Sequence, residues 1–135
     1  MENQEVNGTV VLWSGWTIDL PRARAERNED GSWSAWGGSW TIDVSIVEVS
    51  GDSSGQPASA SHLLGEIESE RIIRGEGWIG SKRRIEETDE GRHIFRTATK
   101  LCADNTIMNC WISVLSESEL GFADSIISSI AHRVT

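Results

Sequence analysis

The sequence lacks tyrosine altogether and contains only two phenylalanines, two prolines and two cysteines. Two cysteines, Cys102 and Cys110, are too few for the disulfide framework of a small secreted domain. The chain also lacks any apolar run near the ~20 residues that span a bilayer. Its start, MENQEVNGTVVLW, has neither the basic residues nor the long apolar stretch of a secretory signal. We therefore expect a cytoplasmic protein that has free thiols and contacts no membrane.

Positive charge is scarce, because 12 Lys and Arg stand against 21 Asp and Glu and give a net charge of −9 at pH 7. A general nucleic-acid binder is excluded, since the phosphates would be repelled before any base was read. A protein partner with a basic surface is favoured instead. The 135 residues are 38% hydrophobic and 24% charged, which is typical of one folded domain over 1–135.

The sequence contains no phosphate-binding glycine loop, no paired-cysteine zinc motif and no serine-hydrolase elbow. Its three histidines, His62, His93 and His132, lie far apart on different predicted elements. Cys102 has no neighbouring base that would make it a nucleophile. We therefore expect no catalytic residues, no metal and no cofactor, and we favour a binding protein over an enzyme.

A four-residue repeat suggests how the first half folds: WTIDL occupies 16–20 and WTIDV occupies 40–44. Alternating apolar residues predict strands over 16–27 and 33–49, joined by a three-residue loop at Glu29-Asp30-Gly31. A hairpin centred on Asp30 would make Ile18 face Ile42. The repeat would then fix the register through cross-strand pairs worth roughly 0.2–1 kcal/mol each.

The second half reads as a loop, a helix, a meander of strands and a terminal helix. A flexible loop is predicted at about 50–58 from its Gly and Ser content, and Pro57 can begin a middle helix. The strands are 71–74, 78–87, 92–102 and 106–115. A capping box, Ser116 to Glu119, begins a helix whose apolar stripe runs to Val134. We predict an α+β fold, with an antiparallel sheet of about six to seven strands packed by a middle helix and a C-terminal helix.

Two surfaces are candidate binding sites. If Asp89-Glu90-Gly91 is a three-residue loop, Ile85 faces Phe95, and four cations gather around one indole: Lys82, Arg84, Arg96 and Lys100 around Trp111. Such a patch would suit an anion or an acidic peptide. Alternatively, the acidic middle helix covers this face and neutralises the patch.

The second candidate is the segment Trp33-Ser34-Ala35-Trp36-Gly37-Gly38. Exposed, the indoles of Trp33 and Trp36 would offer a stacking surface for a sugar, a peptide or a partner protein. Buried, they would be ordinary core residues. The sequence does not decide between the two.

The strand Gly15-Trp16-Thr17-Ile18-Asp19-Leu20-Pro21, with the loop, helix, meander and terminal helix that follow, resembles in element order the PsbP-like α/β/α sandwich family. That fold is shared with a Ran-binding nuclear import factor and several small bacterial proteins. The resemblance implies a non-enzymatic binding or assembly role, and it assigns no functional residue.

The function expected from these observations is that of a small acidic cytosolic protein-interaction or assembly module. One alternative is a chaperone or immunity-type protein that sequesters a basic partner through its net charge. The other is a small-molecule-binding protein or enzyme with a tryptophan-lined pocket.

Overall fold

Residues 3–48 and 71–133 are described by a computed structural model of the chain. Nine strands form one antiparallel sheet in the order β1-β2-β3-β4-β8-β7-β6-β5, with β9 paired to β2. A 3-10 turn, Glu117–Glu119, leads into one helix, α1, at Leu120–Ser129. The strands are β1 Gln4–Val11, β2 Trp16–Arg27, β3 Trp33–Trp36, β4 Trp40–Glu48, β5 Arg71–Gly75, β6 Trp78–Asp89, β7 Arg92–Ala103, β8 Thr106–Val114 and β9 Ala131–His132.

The fold is predominantly β, so the predicted α+β class is wrong. The described residues carry one short helix against nine strands. The terminal helix is also shorter than its apolar stripe predicts, because the chain turns extended at Ile130 and forms β9. The predicted loop at 50–58 and the middle helix from Pro57 lie outside the described residues.

The predicted long strand over 33–49 is two strands. The hairpin at Asp30 has the predicted register over four pairs, from Arg27 opposite Trp33 to Arg24 opposite Trp36. The chain then reverses at Gly37-Gly38, and the Gly37 amide donates to the Trp40 carbonyl at 3.1 Å. Gly37 has no Cβ that would collide with the Trp40 indole.

This reversal moves Ile18 and Ile42 apart. Ile18 pairs with Val10 of β1, whereas Ile42 pairs with Ala35 of β3 and Ile112 of β8. The two WTID copies therefore begin separate strands, and the interpretation that they pair with each other is wrong.

Pro21 lies at an irregularity, as its missing amide hydrogen predicts. Val6 of β1 pairs with Ala23, but Gly8 pairs with Leu20, so one β1 residue stands opposite two residues of β2. A residue without an amide hydrogen suits an edge position or a bulge, and Pro21 lies at the bulge.

The two hairpins of the meander differ in how well the sequence predicts them. Asp104 and Asn105 suit a two-residue turn, which predicts that Thr99 faces Cys110, and the structure has this β7–β8 register. The β6–β7 turn has two residues instead of three, Glu90 and Gly91, with φ of 51° and 81°. Positive φ at both positions is typical of a type I′ hairpin. Ile85 consequently faces Arg96, not Phe95.

The curved sheet is joined across its ends by β9. Trp16 of β2 pairs with His132, and Ala131 forms a bridge to Glu76 between β5 and β6. The inner face of the sheet, which bears Ile42, Cys110 and Ile112, forms the core with the apolar side of α1. The Trp78 indole donates to the Ile130 carbonyl at 2.7 Å and so ties β6 to the end of the helix.

Candidate functional site

The outer face of the sheet, opposite α1, carries a groove of about 460 Å³. It lies over β3, β4, β8 and β7, and the β3–β4 reversal forms one of its walls. Aromatic, hydroxyl-bearing and charged side chains line it, together with two glycines and the apolar residues Ile94 and Leu115. The lining residues are Trp36, Gly37, Gly38, Ser39, Trp40, Thr41, Asp43, Ile94, Arg96, Trp111, Ser113 and Leu115.

Trp33 and Trp36 lie on opposite faces of β3, so one indole is buried and the other is accessible. Trp33 is a core residue, 5% exposed, opposite Val44. It therefore offers no accessible indole to a partner. Trp36 is half-buried on the outer face, opposite Thr41, and lines the groove.

Asp43 lies on β4, the strand that separates Trp36 from Trp111. It is exposed, pairs directly with Trp111 of β8, and accepts a hydrogen bond from the Ser34 hydroxyl at 2.8 Å. Trp111 is 38% exposed, which is unusual for so large an aromatic group in a sheet. The groove therefore combines a carboxylate with two accessible indoles.

Arg96 supplies the positive charge of the groove. It pairs with Ser113, and its guanidinium lies 3.5 Å from the Glu87 carboxylate. Lys100 lies farther along the same face, opposite Asn109. Trp111 stands opposite Ala98, so the predicted arrangement of Trp111 with Arg96 and Lys100 as diagonal neighbours is confirmed.

Lys82 and Arg84 do not join this surface, so the predicted four-cation patch is wrong. The two-residue turn shifts β6 by one position, and a shift of one residue moves every side chain to the other face. Lys82 faces Thr99 and Arg84 faces Thr97 on the inner side. Both pair with Asp124 of α1, at 3.0 and 2.6 Å.

The sequence did not indicate Asp43 as a site residue. A single long strand over 33–49 would have placed its carboxylate against Thr17 of β2. The signal that could have found it is Gly37-Gly38, since two consecutive glycines permit a chain reversal.

The thiols are poor nucleophiles. Both cysteines are free and buried. Burial raises the pKa of the Cys110 thiol to about 12, and burial also raises the pKa of Cys102. Within 3–48 and 71–133, no three His, Cys, Asp or Glu side chains are grouped so that they could hold a metal ion.

A crystal structure from Bacteroides thetaiotaomicron VPI-5482, determined at 1.50 Å resolution, has a similar fold. The TM-score is 0.74 at 14% sequence identity, and the match covers 95% of this chain and 49% of that one. At this identity the likeness shows the fold alone. This chain spans about half the length of its structural neighbour.

No protein-family model matches the sequence, and no curated protein matches it either. The resemblance to the PsbP-like family therefore stays a prediction. In the part of the chain that the structure describes, no helix has the length and apolar character needed to cross a membrane.

Proposed function

We propose that this protein is a non-catalytic interaction module whose outer groove binds a basic segment of a protein partner. The observation that carries the proposal is the Asp43 carboxylate on the strand between Trp36 and Trp111. The two indoles arise from backbones roughly 12 Å apart, because they are separated by two strand spacings of about 4.8 Å and by two residues, about 7 Å, along the strand. That spacing leaves room for one guanidinium or ammonium group above Asp43.

The chemistry of these three side chains favours a cation. Indole faces attract Arg and Lys through the ring quadrupole, and a carboxylate adds a charge-assisted hydrogen bond. The chain already contains one such contact, because the Arg27 guanidinium lies 4.1 Å from the centre of the Trp13 ring. The net charge of −9 would also speed the approach of a basic partner.

The positive charge of Arg96 repels a cation at one end of the groove. Glu87 offsets part of that charge at 3.5 Å. Arg96 lies in one row with Ser113, Thr41 and Trp36, two residues along the strands from the row of Asp43 and Trp111. We therefore expect the partner's cation at the Asp43 end, and an apolar or acceptor group towards Arg96 and Leu115.

A sequestering role of the chaperone or immunity type would use the same charges and differ only in what becomes of the partner.

A small-molecule site is the second candidate, because a groove of about 460 Å³ has the size of many ligand pockets. The proposed setting is the cytosol, which suits two free thiols.

The test is the affinity of the full chain for a labelled Arg-Gly-Ser peptide, measured by fluorescence anisotropy. A Glu-Gly-Ser peptide and a Gln-Gly-Ser peptide serve as ligand controls. We expect saturable binding of the arginine peptide alone, weakening as salt is raised. D43N and W111A should each weaken it about tenfold, since cation–π and charge-assisted contacts contribute ~1–2 kcal/mol each.

Asp89→Asn is the matched control, because it removes the same charge from an exposed carboxylate in the β6–β7 hairpin, and β6 lies three strands away from the strand of Asp43. Equal weakening by D89N and D43N would mean that net charge alone drives binding. Equal binding of the three peptides would contradict the proposal, and binding of neutral aromatic compounds instead would favour the small-molecule alternative.

A further inference from the structure

The outer groove carries opposite charges at its two ends. Asp43 is exposed on β4, and Arg96, whose side chain is 34% exposed, lies on β7. Both side chains line the groove, and Trp111 lies on β8, the strand between them. Binding of a cation uses only the Asp43 end, so the Arg96 end is left to contact a second feature of the partner.

The guanidinium group of Arg96 has donors available to a ligand. Its Nε is buried, so a ligand would contact the terminal nitrogens. One of them lies 3.5 Å from the Glu87 carboxylate, whereas charge-assisted hydrogen bonds between guanidinium and carboxylate groups are about 2.7–2.9 Å long. The loose contact with Glu87 therefore leaves the exposed part of the guanidinium open to a second carboxylate.

The sheet fixes the separation of the two charges. Asp43 pairs with Trp111, and Trp111 pairs with Ala98 of β7. Arg96 lies two residues from Ala98 on the same strand. Two strand spacings and two residues along the strand place the backbones of Asp43 and Arg96 roughly 12 Å apart.

This separation selects a spacing in an extended ligand. Side chains of an extended chain point to the same side only at even spacings. Two residues span about 7 Å and four residues about 13 Å. The four-residue spacing is therefore the one that matches the groove.

We propose that the bound segment is extended and carries a carboxylate four residues from its cation, so that the cation contacts Asp43 and the carboxylate contacts Arg96. This inference rests on the proposed function, because it names a second contact of the same partner in the same groove. Glu87 and the net charge of −9 limit the gain in affinity, since both repel a carboxylate.

Lys100 provides an internal comparison for Arg96. It lies two residues from Ala98 on the other side and on the same face of β7, so its backbone is as far from Asp43 as that of Arg96. Arg96 lines the groove, whereas Lys100 lies outside it. The partner's carboxylate should therefore respond to Arg96 and not to Lys100.

The probes are labelled peptides with blocked termini, titrated into the full chain at constant ionic strength and followed by fluorescence anisotropy. Arg-Gly-Gly-Gly-Glu is compared with Arg-Gly-Gly-Gly-Gln, and the reversed pair Glu-Gly-Gly-Gly-Arg and Gln-Gly-Gly-Gly-Arg tests the other chain direction. In one direction we expect the glutamate peptide to bind about threefold more tightly than the glutamine peptide, the gain expected of a partly exposed ion pair. Arg-Gly-Glu should show no such gain over Arg-Gly-Gln.

Arg96→Gln should abolish the gain from glutamate, whereas Lys100→Gln should leave it unchanged. Glu87→Gln should increase the gain, because it removes the competing carboxylate, and D89N is its control for net charge. Loss of the gain in K100Q instead of R96Q would overturn the inference. If R96Q fails to fold, E87Q decides, and an unchanged gain would overturn the inference.

The two proposals give different results when they fail. Equal binding of the glutamate and glutamine peptides in both directions would overturn this inference and leave the proposed function intact, since all four peptides keep the arginine. Binding of none of them would overturn both.

Discussion

Asp124 anchors α1 to the inner face, and its neutralisation is the sharpest test of that contact. In D124N, Lys82 and Arg84 lose their shared carboxylate, and Lys82, whose side chain is 11% exposed, is left largely buried and unpaired. Breaking a fully buried ion pair costs about 3–5 kcal/mol. Asp124 itself is 39% exposed, so solvent screening reduces the expected loss to about 2 kcal/mol.

The assay is urea denaturation of the wild type, D124N, K82M and the double variant. We expect K82M to cost under about 1 kcal/mol, because it removes the buried charge and leaves Arg84 paired with Asp124. The D124N substitution should then cost less in the K82M background than alone, so the double variant should lose less stability than the sum of the two single losses. D89N is the control for removing a carboxylate. A D124N variant within about 0.5 kcal/mol of wild type, or strictly additive effects, would refute this account of the helix contact.

Two further predictions concern the closure of the sheet and the thiols. Gly77→Ala should destabilise the protein by about 1–3 kcal/mol in thermal or chemical unfolding, because Gly77 has φ of 81° and a Cβ there would meet the His132 carbonyl oxygen. Gly91→Ala is the control and should cost less, because Gly91 has the same φ but open space around it. Equal losses in the two variants would argue against the β9 closure. Both thiols should resist a disulfide reagent in the native protein near neutral pH and react after denaturation. The reason is that burial raises the pKa of each thiol, that of Cys110 to about 12. Stoichiometric labelling of the folded chain within minutes would contradict their burial.

The turns that the sequence predicts correctly are those with local determinants. Asp104 and Asn105 tolerate the backbone of a tight turn, and they fix the whole β7–β8 register. Glu90-Gly91 lies inside an acid-acid-glycine triplet that suits either a two-residue or a three-residue loop. Choosing the longer loop shifts β6 by one residue and transfers Lys82 and Arg84 to the wrong face.

The parts that the sequence does not predict depend on contacts between distant segments. β9 has only two residues, Ala131 and His132, and it pairs with β2 at the other end of the chain. The apolar residues from Ile130 to Val134 keep the spacing of the helical stripe, so no local sequence signal indicates that α1 ends at Ser129. The groove likewise requires β3, β4 and β8 to assemble in that order, which alone brings Asp43 between Trp36 and Trp111.

The most direct test of the proposed groove is a set of intermolecular NOEs between the bound arginine peptide and the indole protons of the protein. Contacts from one arginine side chain to both Trp36 and Trp111, lost in D43N, are the predicted result. NOEs to neither ring, or to Trp13 alone, would contradict a cation site above Asp43.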